Sequence, residues 1–512
     1  METVIDCGQD RDSLEGDTAL YKDSIFSFRL ETSAQTTTEY ESVTSFAAYQ
    51  LCHTKSTPVS SAREADRELL ILGYAVDLRN GESHNLAEML LKNTRTIDEL
   101  IAQEANLGGK YILFYKDVTG AYALPDATAS IPFCYTTGDC PLACATDSEM
   151  IAQRFALQPD AELLKIRRSG HISQAMPYHL TVYKEIFHLL PNHYFSFEER
   201  KSVRFVNFNA VRKPLSAKEA ALETAPLMTN LLQFYNQNFK LYCPITSGWD
   251  SRVVLSVMLS LGYDVETYTI RHSHFSDHEP DIVAPKLISD KFSIVHNQLS
   301  DLKPNAAMYE QFDAAFGASG YCKRTLMIAN TIKSSYGDGA VINGDIIGQV
   351  GKCSLHRDIP AAWATPKYFR CKLHNYSKAA VAYIDQWIAN IKASGEQVNL
   401  FDLFSIESRM GRWAAQENLI YGMIGQKYIN IFNSRSIIYP WTLVPRKDRK
   451  FSKIHQELIN MTYPQLMEIP VGGVMPVAEK LAKKNGLTYY LASFVKYYYE
   501  KFCFPYKQKK GG

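Results

Sequence analysis

The pattern of hydrophobic and polar positions is clearest in the middle of the chain. Residues 241–245 form a short apolar run typical of a buried strand, and residues 253–261 form a helix-like stretch. Further short strands are predicted at residues 265–270 and 292–295, with a helix at residues 281–288 between them. Strands that alternate with helices in this way predict an open parallel β-sheet.

A different pattern occupies the first half of the chain. Apolar residues alternate over residues 111–115, a turn is predicted near residues 117–120, and a second short apolar run ends at Leu124, so that this region predicts a β-hairpin. A polar, proline-containing stretch at residues 207–216 then precedes a helical pattern at residues 217–234. We therefore predict a β-rich first domain and a boundary at that stretch.

The turn between the central strand and helix carries groups that suit pyrophosphate. Its sequence is Thr246-Ser247-Gly248-Trp249-Asp250-Ser251. Hydroxyls and a carboxylate can hold phosphate and Mg²⁺, a glycine lets backbone N–H groups approach the anion, and a helix N-terminus favours negative charge. In parallel sheets ligands bind beyond the carboxyl ends of strands, where this turn falls. An ordinary strand-to-helix turn uses the same residue types, and this alternative stays open.

This hexapeptide resembles the Ser-Gly-Gly-x-Asp-Ser loop of the ATP-pyrophosphatase domain in the asparagine synthetase family, whose relatives include β-lactam synthetase and lasso-peptide cyclases. Thr246 keeps the hydroxyl of the first serine. Ser247 replaces the first glycine, so its backbone conformation must be one that a β-carbon tolerates. Residues 340–348 resemble the family's strand and Gly-rich loop, and the resemblance implies that Asp345 shares Mg²⁺ with Asp250.

The resemblance implies a complete site for the cofactors ATP and Mg²⁺. Two carboxylates from two strand ends would balance the metal that neutralises pyrophosphate, as cleavage of ATP between its α and β phosphates requires. The implied catalytic and metal-binding residues are Asp250 and Asp345, and the implied ATP-binding residues are Thr246, Ser247, Gly248, Trp249, Ser251, Ile270 and Gly344. Many members also use a lysine on the adenylated carboxylate, for which the candidates are Lys447, Lys450, Lys453 and Lys480.

The first half of the chain is similar to the glutaminase-type domain that precedes the synthetase domain in these enzymes. The similar segments are residues 108–117, 123–127 and 131–133, and residues 183–194, which look like the strand pair that ends that domain. The implied fold class is α/β, with an N-terminal β-rich, Ntn-hydrolase-like (αββα) domain at residues 24–210. An adenine-nucleotide α-hydrolase-like synthetase domain with a parallel sheet is expected at residues 217–500.

The nucleophile of such a glutaminase is missing from its usual place. The enzymes use a cysteine that becomes the first residue after Met removal, with its own α-amino group as the base. Residue 2 here is Glu2, and Cys7 would need cleavage after Asp6, for which no processing signature is present. We expect that the first domain does not hydrolyse glutamine.

Three other segments contain candidate binding residues. Residues 271–279 hold three histidines, but their spacing matches no well-known zinc pattern, and nucleotide contact by the backbone of residues 268–271 is favoured over metal. Arg409 and Arg412 share a helix face that suits phosphate or carboxylate, and a solvated face is an equal alternative. Residues 436–441 resemble the strand and turn before the family's last helices.

Composition narrows the class of protein. The chain has 512 residues, 46% of them hydrophobic, with a net charge of +1 that provides no long-range field for a nucleic acid partner. Ten cysteines without framework spacing favour reduced thiols. Because no apolar run of transmembrane length and no signal peptide is recognisable, we expect a cytoplasmic protein.

The predicted function is an ATP-dependent, AMP-forming amide ligase. A carboxylate of a small molecule or peptide would be adenylated and then attacked by ammonia or an amine, which another protein can deliver. Three alternatives remain open: peptide cyclisation as in lasso-peptide biosynthesis, a non-catalytic scaffold on the same fold, and an ATP-using enzyme for a different transfer such as sulfur insertion. No paired cysteines near the loop support the last of these.

Overall fold

The structure is a computed structural model of the whole chain. It describes residues 24–31, 41–169, 176–205, 213–272, 274–317, 319–352, 363–375, 377–396 and 398–472, and residues 487, 488, 491, 494, 495 and 498. Glu2, Cys7 and Lys480 lie outside the described residues. Part of the predicted boundary at residues 207–216 also lies outside them, and the predicted domain bounds stay a prediction.

The N-terminal part of the molecule contains two antiparallel sheets packed face to face. Its strands are β1 (Phe28–Glu31), β2 (Glu41–Phe46), β3 (Tyr49–Thr54), β4 (Val59–Glu64), β5 (Arg67–Asp77), β6 (Leu107–Lys116), β7 (Ala121–Pro125), β8 (Cys134–Thr136), β9 (Cys144–Ala145), β10 (Ile186–His188), β11 (His193–Ser196) and β12 (Lys201–Arg204). One sheet has the order β10-β8-β9-β1-β3-β2 and the other β12-β11-β7-β6-β5-β4. Aromatic side chains such as Phe28 and Phe114 fill the space between the sheets.

Helices cover the outer faces of both sheets. They are α1 (Leu86–Asn93), α2 (Ile97–Glu104), α3 (Ser148–Arg154) and α4 (Ala161–Arg168). On β5, Leu70 and Leu72 face the opposite sheet, whereas Leu69 and Ile71 pack against α1 and α2. Alternating side chains of one strand are thus buried on both faces, which produces the four αββα layers.

The hairpin predicted at residues 111–124 is confirmed. Strands β6 and β7 pair antiparallel, and the carboxylate of Asp117 closes the turn by accepting the backbone N–H of Thr119 and Gly120. The predicted strand pair at residues 183–194 is wrong. Strand β10 pairs with β8 in one sheet and β11 pairs with β7 in the other, because the chain crosses between the sheets at Asn192, which adopts a left-handed conformation (φ 64°).

The C-terminal part contains a parallel sheet with the order β15-β14-β13-β16-β17. Its strands are β13 (Leu241–Pro244), β14 (Glu266–Arg271), β15 (Val295–Ser300), β16 (Ala340–Ile342) and β17 (Lys427–Ile429). The predicted parallel sheet is confirmed. A strand was expected at residues 292–295, but β15 begins only at the last of these residues. Phe292 instead ends a helix, which stops because Ser293 adopts a left-handed conformation (φ 54°).

The helices of the C-terminal part pack on both faces of this sheet and beside it. They are α5 (Ala217–Asn238), α6 (Trp249–Ser260), α7 (Pro280–Phe292), α8 (Ala306–Phe316), α9 (Lys323–Tyr336), α10 (Pro366–Lys372), α11 (Ala380–Ser394), α12 (Leu400–Leu403), α13 (Ala415–Met423), α14 (Arg435–Thr442), α15 (Arg446–Lys450) and α16 (Lys453–Thr462). Leu241 and Cys243 face α5, α6, α14 and α16, whereas Tyr242 faces α8, α9 and α13. The predicted fold class, α/β with an αββα, Ntn-hydrolase-like part followed by a parallel sheet, is confirmed.

Two segments near the end of the chain differ in how well they were predicted. Residues 401–423 are helical as predicted, although Phe404–Ala414 forms a π-helix between α12 and α13. Residues 436–441 lie within helix α14, so the strand and turn expected there are wrong. Ile437, Ile438 and Trp441 are buried on one face of this helix, and a short apolar run of this kind does not distinguish a helix from a strand.

Buried ion pairs connect the two parts of the molecule. Arg435 Nε on α14 donates to Glu104 Oε2 on α2 at 2.7 Å, and both side chains are fully buried. Arg204 at the end of β12 donates to Glu396 at 2.7 Å and also binds Glu407 of the π-helix. Since removal of one partner leaves a buried charge unpaired, these pairs fix the parts against each other. In the described residues no helix has the length and hydropathy needed to cross a membrane.

Candidate functional site

The site lies at the carboxyl ends of β13 and β16, which are neighbours in the sheet. The loop after β13 leads into α6, and the loop after β16 carries Gly344 and Asp345. A β-carbon on Gly344 would lie 3.2 Å from the carbonyl carbon of Asp250, and one on Gly348 would lie 2.8 Å from Asp250 Oδ2. The structure therefore brings the two predicted loops together at Asp250.

Hydroxyl groups hold the first loop in a tight turn. The backbone N–H of Thr246 donates to Ser251 Oγ at 3.2 Å, and the hydroxyls of these residues also lie 3.2 Å apart. The backbone N–H of Gly248 donates to Thr246 Oγ1 at 3.2 Å. Gly248 begins helix α6 without any side-chain cap, so the first-turn N–H groups of the helix are not covered by the loop.

Ser247 anchors the loop to the surrounding structure. Its backbone N–H and its hydroxyl donate to Asp281 Oδ1 at 2.8 and 2.7 Å, and its carbonyl accepts the N–H of Gly472. The backbone φ of Ser247 is not positive, so this position tolerates a β-carbon, as the replacement of the family's glycine by serine requires. Because Ser247 is buried and bonded to Asp281, the hydroxyls of the loop that remain closest to solvent are those of Thr246 and Ser251.

Asp250 lies between two basic side chains. His455 Nε2 lies 2.8 Å from Asp250 Oδ1, and Lys352 Nζ lies 3.9 Å from Oδ2. Burial opposes ionisation of the carboxyl, but the hydrogen bond and charge of His455, together with Lys352, hold the pKa of Asp250 below its usual range. Asp250 is therefore an ionised carboxylate at neutral pH.

Asp345, the second predicted metal ligand, lies beside Tyr428. Its Oδ2 accepts the hydroxyl of Tyr428 at 3.0 Å. Burial raises the pKa of Asp345 to about 6, the Tyr428 hydrogen bond opposes that shift, and the negative charge of Asp250 adds to it. On α13, burial and the charge of Asp345 raise the pKa of Glu417 well above its usual range. Carboxylates concentrated in this way favour a cation.

The residues present fit Mg²⁺, which needs one or two protein carboxylates when phosphate oxygens and water complete its shell. Burial and the charge of Asp250 both raise the pKa of Asp345, and a divalent cation between the two carboxylates would relieve their repulsion. Within the described ranges no group of three or more His, Cys, Asp or Glu side chains forms a metal site by itself. The site thus suits a metal that arrives with a phosphate ligand.

The remaining predicted nucleotide ligands lie around the same edge. Trp249 is the first residue of α6, with the Arg252 guanidinium carbon 6.0 Å from its ring. Ile270 is next to the last residue of β14 and packs against the aromatic face of the sheet. In the segment with three histidines, His272 Nδ1 lies 3.1 Å from Asp301 and its Nε2 lies 3.1 Å from Arg324.

Sequence reasoning missed several residues of the site. His455, Lys352 and Tyr428 contact the predicted residues, and Glu417 interacts electrostatically with Asp345. His455 lies 205 positions from Asp250 in the sequence, and no local motif marks it. These residues are brought to the site by the fold. The one sign of them in the sequence is that Lys352 lies a short distance after Asp345 along the chain.

Some of the arginines and lysines predicted as ligands make contacts outside the site. Arg412 is buried and donates to the carbonyl of Leu180 in the N-terminal part at 2.9 Å, which makes it a contact between the two parts. Burial lowers the pKa of Arg409 and Arg412 to about 10. Among the lysines considered for the adenylate, Lys453 is exposed and pairs with Asp448 at 2.6 Å.

In the part of the N-terminal region that the structure describes, the cysteines lack the features of a nucleophile. Cys134 Sγ lies 3.5 Å from His188 Nδ1, but the thiol is fully buried and burial raises its pKa well above the usual range. Burial likewise raises the pKa of Cys52, Cys140 and Cys144. Such thiols stay protonated and unreactive. The cysteines of the described residues are all free.

The similarity of this chain to known proteins is found among solved structures. No protein-family model and no curated protein matches the chain. The similar structures include NMN synthetase from Francisella tularensis, with 14% identity, 51% of this chain and 99% of that chain covered, and a TM-score of 0.19. They also include glutamine phosphoribosylpyrophosphate amidotransferase from B. subtilis complexed with ADP and GMP, with 10% identity, 58% of this chain and 66% of that chain covered, and a TM-score of 0.23. Similarities of this size carry no conclusion about activity, and the function is inferred from the site itself.

Proposed function

We propose that this protein is an ATP-dependent ligase of the asparagine synthetase type that activates a carboxylate as its acyl-adenylate and forms an amide. The observation that carries the proposal is the meeting of two strand-end loops at Asp250, with Asp345 close enough for the charge of Asp250 to raise its pKa. One loop has hydroxyls and an uncapped helix N-terminus, and the other has the Asp345 carboxylate, which accepts the Tyr428 hydroxyl. Together these groups suit pyrophosphate and its cation.

Each group has a defined task in this proposal. Asp250 and Asp345 would hold Mg²⁺, which would neutralise the charge of the pyrophosphate. The hydroxyls of Thr246 and Ser251 and the first-turn N–H groups of α6 bind phosphate oxygens. Ser247 keeps the loop against α7 through Asp281, and His455 keeps the Asp250 carboxylate in place. Groups fixed in this manner need no reorganisation when charge develops.

The proposed reaction has two steps. A carboxylate oxygen of the substrate attacks the α-phosphorus of ATP, and the bond from that phosphorus to the bridging oxygen breaks, which releases pyrophosphate. The nitrogen of ammonia or an amine then attacks the acyl carbon, the carbon–oxygen bond to AMP breaks, and the nitrogen loses a proton. The loop sequence lacks the Gly-Lys-Ser/Thr ending of kinase-type phosphate loops, which favours pyrophosphate as the leaving group.

Two contacts of Asp250 favour the alternative of a non-catalytic scaffold. His455 and Lys352 both approach the Asp250 carboxylate, and together they balance a charge that a metal would otherwise balance. A scaffold of this kind would bind Mg²⁺ and ATP weakly. The alternative of lasso-peptide-type cyclisation remains a prediction, as does the cytoplasmic location.

Analysis of the nucleotide products tests the proposal. The protein is incubated with ATP, Mg²⁺, ammonium and a panel of carboxylic acids, and the nucleotides are separated. We expect AMP and pyrophosphate in equal amounts, formed only when an acid is present and absent in the Asp345→Asn variant. ADP as the main product would contradict adenylation, and no turnover with any acid would favour the scaffold.

A further inference from the structure

A segment of the C-terminal part, residues 464–472, lies against the proposed pyrophosphate loop. It begins with a short 3₁₀-helix (Pro464–Glu468). The helix before it, α16, packs against α6 and carries His455, which contacts Asp250. The 464–472 segment thus directly follows a helix that already contacts the site, and it adds contacts of its own.

Arg252 is the side chain through which α6 contacts this segment. It follows Ser251 in the sequence, is fully buried, and donates to the backbone carbonyls of Leu466, Ile469 and Pro470 at 3.1, 2.5 and 3.0 Å. A guanidinium group can reach several carbonyls at once because it carries five N–H groups in a fixed fork. The side chain that ends the loop sequence is therefore bonded to the segment at three places.

A buried arginine at this position depends on those carbonyls. Arg252 is the fourth residue of α6, near the helix end where the helix dipole disfavours a positive charge. Burial lowers the pKa of Arg252 to about 10, and among the described residues no carboxylate opposes that shift. Because buried donors without acceptors are unfavourable, displacement of the segment would destabilise the guanidinium and the helix end that carries it.

A second contact holds the other end of the loop. The backbone N–H of Gly472 donates to the carbonyl oxygen of Ser247 at 2.9 Å. Ser247 and Arg252 enclose residues 248–251, which begin α6 and supply the N–H groups proposed to bind phosphate. The 464–472 segment therefore contacts the loop on both sides of its phosphate-binding residues.

We propose that the 464–472 segment positions the phosphate loop for ATP and that Arg252 is the positioning residue that connects them. The inference rests on the proposed function, which identifies the ligand of the loop as the pyrophosphate portion of ATP. The bonded N–H groups of Arg252 are directed at the segment, so it acts through the loop and not by contact with ATP. Since such coupling is reciprocal, bound ATP should in turn hold the segment more firmly.

A purely structural role for Arg252 predicts a different result. The carbonyls of Leu466, Ile469 and Pro470 lie at the end of a 3₁₀-helix, and an arginine that only satisfied them would stabilise the fold without any effect on the loop. Its removal would then lower stability and leave the affinity for ATP unchanged. The test therefore compares variants that cost similar stability at different distances from the loop.

Two glycines with the same backbone conformation provide that comparison. Gly472 has φ 71°, and Gly262, which lies beyond the other end of α6, has φ 68°. A β-carbon at either position would meet no other described atom within 4 Å. Gly472→Ala and Gly262→Ala therefore introduce similar backbone strain, but only Gly472→Ala introduces it beside Ser247.

Arg252→Met removes the guanidinium group itself. Its control is Lys291→Met, which removes an ion pair between α7 and Glu468 of the same segment. Lys291 and Glu468 are exposed, and exposed ion pairs contribute little. Denaturant unfolding shows which variants are folded, and if Arg252→Met does not fold, Gly472→Ala and its control decide the question.

The measurements are calorimetric titration with ATP and Mg²⁺ and amide hydrogen exchange with and without them. We expect Arg252→Met to lose roughly 10- to 100-fold in affinity and Gly472→Ala to lose roughly three- to tenfold, whereas Lys291→Met and Gly262→Ala should bind like the parent protein. Bound ATP should slow exchange in residues 464–472 of the parent protein. Arg252→Met and Gly472→Ala should exchange faster than the parent protein in residues 246–251.

Unchanged affinity in both Arg252→Met and Gly472→Ala, with a parent protein that binds ATP, would overturn the inference. Failure of the parent protein to bind ATP would contradict the proposed function instead. Exchange would then decide whether the segment positions the loop: faster exchange of residues 246–251 in Gly472→Ala than in Gly262→Ala would support the inference, and equal exchange would overturn it.

Discussion

His455 Nε2 lies 2.8 Å from Asp250 Oδ1, across 205 residues of sequence. The imidazole is completely buried, and within the described part of the chain its Nδ1 atom has no hydrogen-bond partner. His455 therefore interacts with the site through a single nitrogen, which donates to the Asp250 carboxylate when it carries the proton. This contact connects helix α16 to the proposed pyrophosphate loop.

Replacement of His455 should show whether this side chain orients the Asp250 carboxylate or only fills space in the core. We expect His455→Phe to weaken the binding of ATP in the presence of Mg²⁺ by roughly 10- to 100-fold, because the carboxylate loses the donor that orients it. His455→Gln should retain most of the affinity, since an amide N–H can donate at a similar place. Calorimetric titration of both variants with ATP and Mg²⁺ measures this, and equal loss in both would indicate a packing role only.

Two glycines of one short π-helix (Ile347–Gly351) should respond differently to the same substitution. A β-carbon on Gly348 would lie 2.8 Å from Asp250 Oδ2, whereas one on Gly351 would lie 2.8 Å from Ile347 Cγ1 and 3.3 Å from the Trp441 ring. Gly348→Ala should displace the Asp250 carboxylate and lower the affinity for ATP with Mg²⁺ about tenfold, with little change in stability. Gly351→Ala should instead lower the free energy of unfolding by about 1–3 kcal/mol, because it crowds the core.

Titration and denaturant unfolding of the two glycine variants give the comparison. A loss of stability without a loss of affinity in Gly348→Ala would contradict the close approach of this helix to Asp250. Gly351→Ala serves as the matched control, since both substitutions add one methyl group to the same element.

Local sequence patterns were sufficient for the parts of the fold that depend on neighbouring residues. The run before Thr246 predicts β13 because turn residues and then a helical pattern follow it, and the alternation of strands and helices along the next residues predicts a parallel sheet. Local patterns were not sufficient where contacts with distant parts of the chain determine the secondary structure. Residues 436–441 form a helix because their apolar side chains face a core built from distant elements, and a short run alone is ambiguous.

The same limit applies to the site. The residues from Thr246 to Ser251 are contiguous, so their chemistry is visible in the sequence. His455 lies on α16, and only the packing of that helix against α6 brings it to Asp250. Ser247 is a predicted ATP ligand, but its side chain instead forms a hydrogen bond with Asp281. That hydrogen bond depends on the position of helix α7, which follows strand β14. Contacts of this kind follow from tertiary structure.

Glu396 should make stability depend on pH. Burial and the charge of Glu407 raise the pKa of Glu396 to about 7, above the value near 4.5 expected in the unfolded chain. The folded state therefore binds this proton more tightly, and the stability it contributes is complete at low pH and is lost as pH rises through 7. Glu407, whose pKa is held below its usual range mainly by Arg204 against the effect of burial, is ionised throughout this window.

The variant Glu396→Gln removes this titration and keeps an acceptor for Arg204. We expect its stability relative to the parent protein to increase between pH 5 and pH 8 by on the order of 1–3 kcal/mol. Denaturant unfolding at a series of pH values measures the difference, with Glu88→Gln on the exposed face of α1 as the control. Parallel curves for the parent protein and Glu396→Gln would show that Glu396 does not titrate in this range.

The central claim is that Asp250 and Asp345 support adenylation of a carboxylate, and the most direct measurement is the exchange of labelled pyrophosphate into ATP. The exchange requires no knowledge of the amine. We predict that it depends on Mg²⁺ and on an added carboxylic acid, and that Asp250→Asn and Asp345→Asn each reduce it by at least about 100-fold. Asp290→Asn on the exposed face of α7 should leave it unchanged. Exchange that needs no acid, or that persists in both Asp250→Asn and Asp345→Asn, would contradict the account.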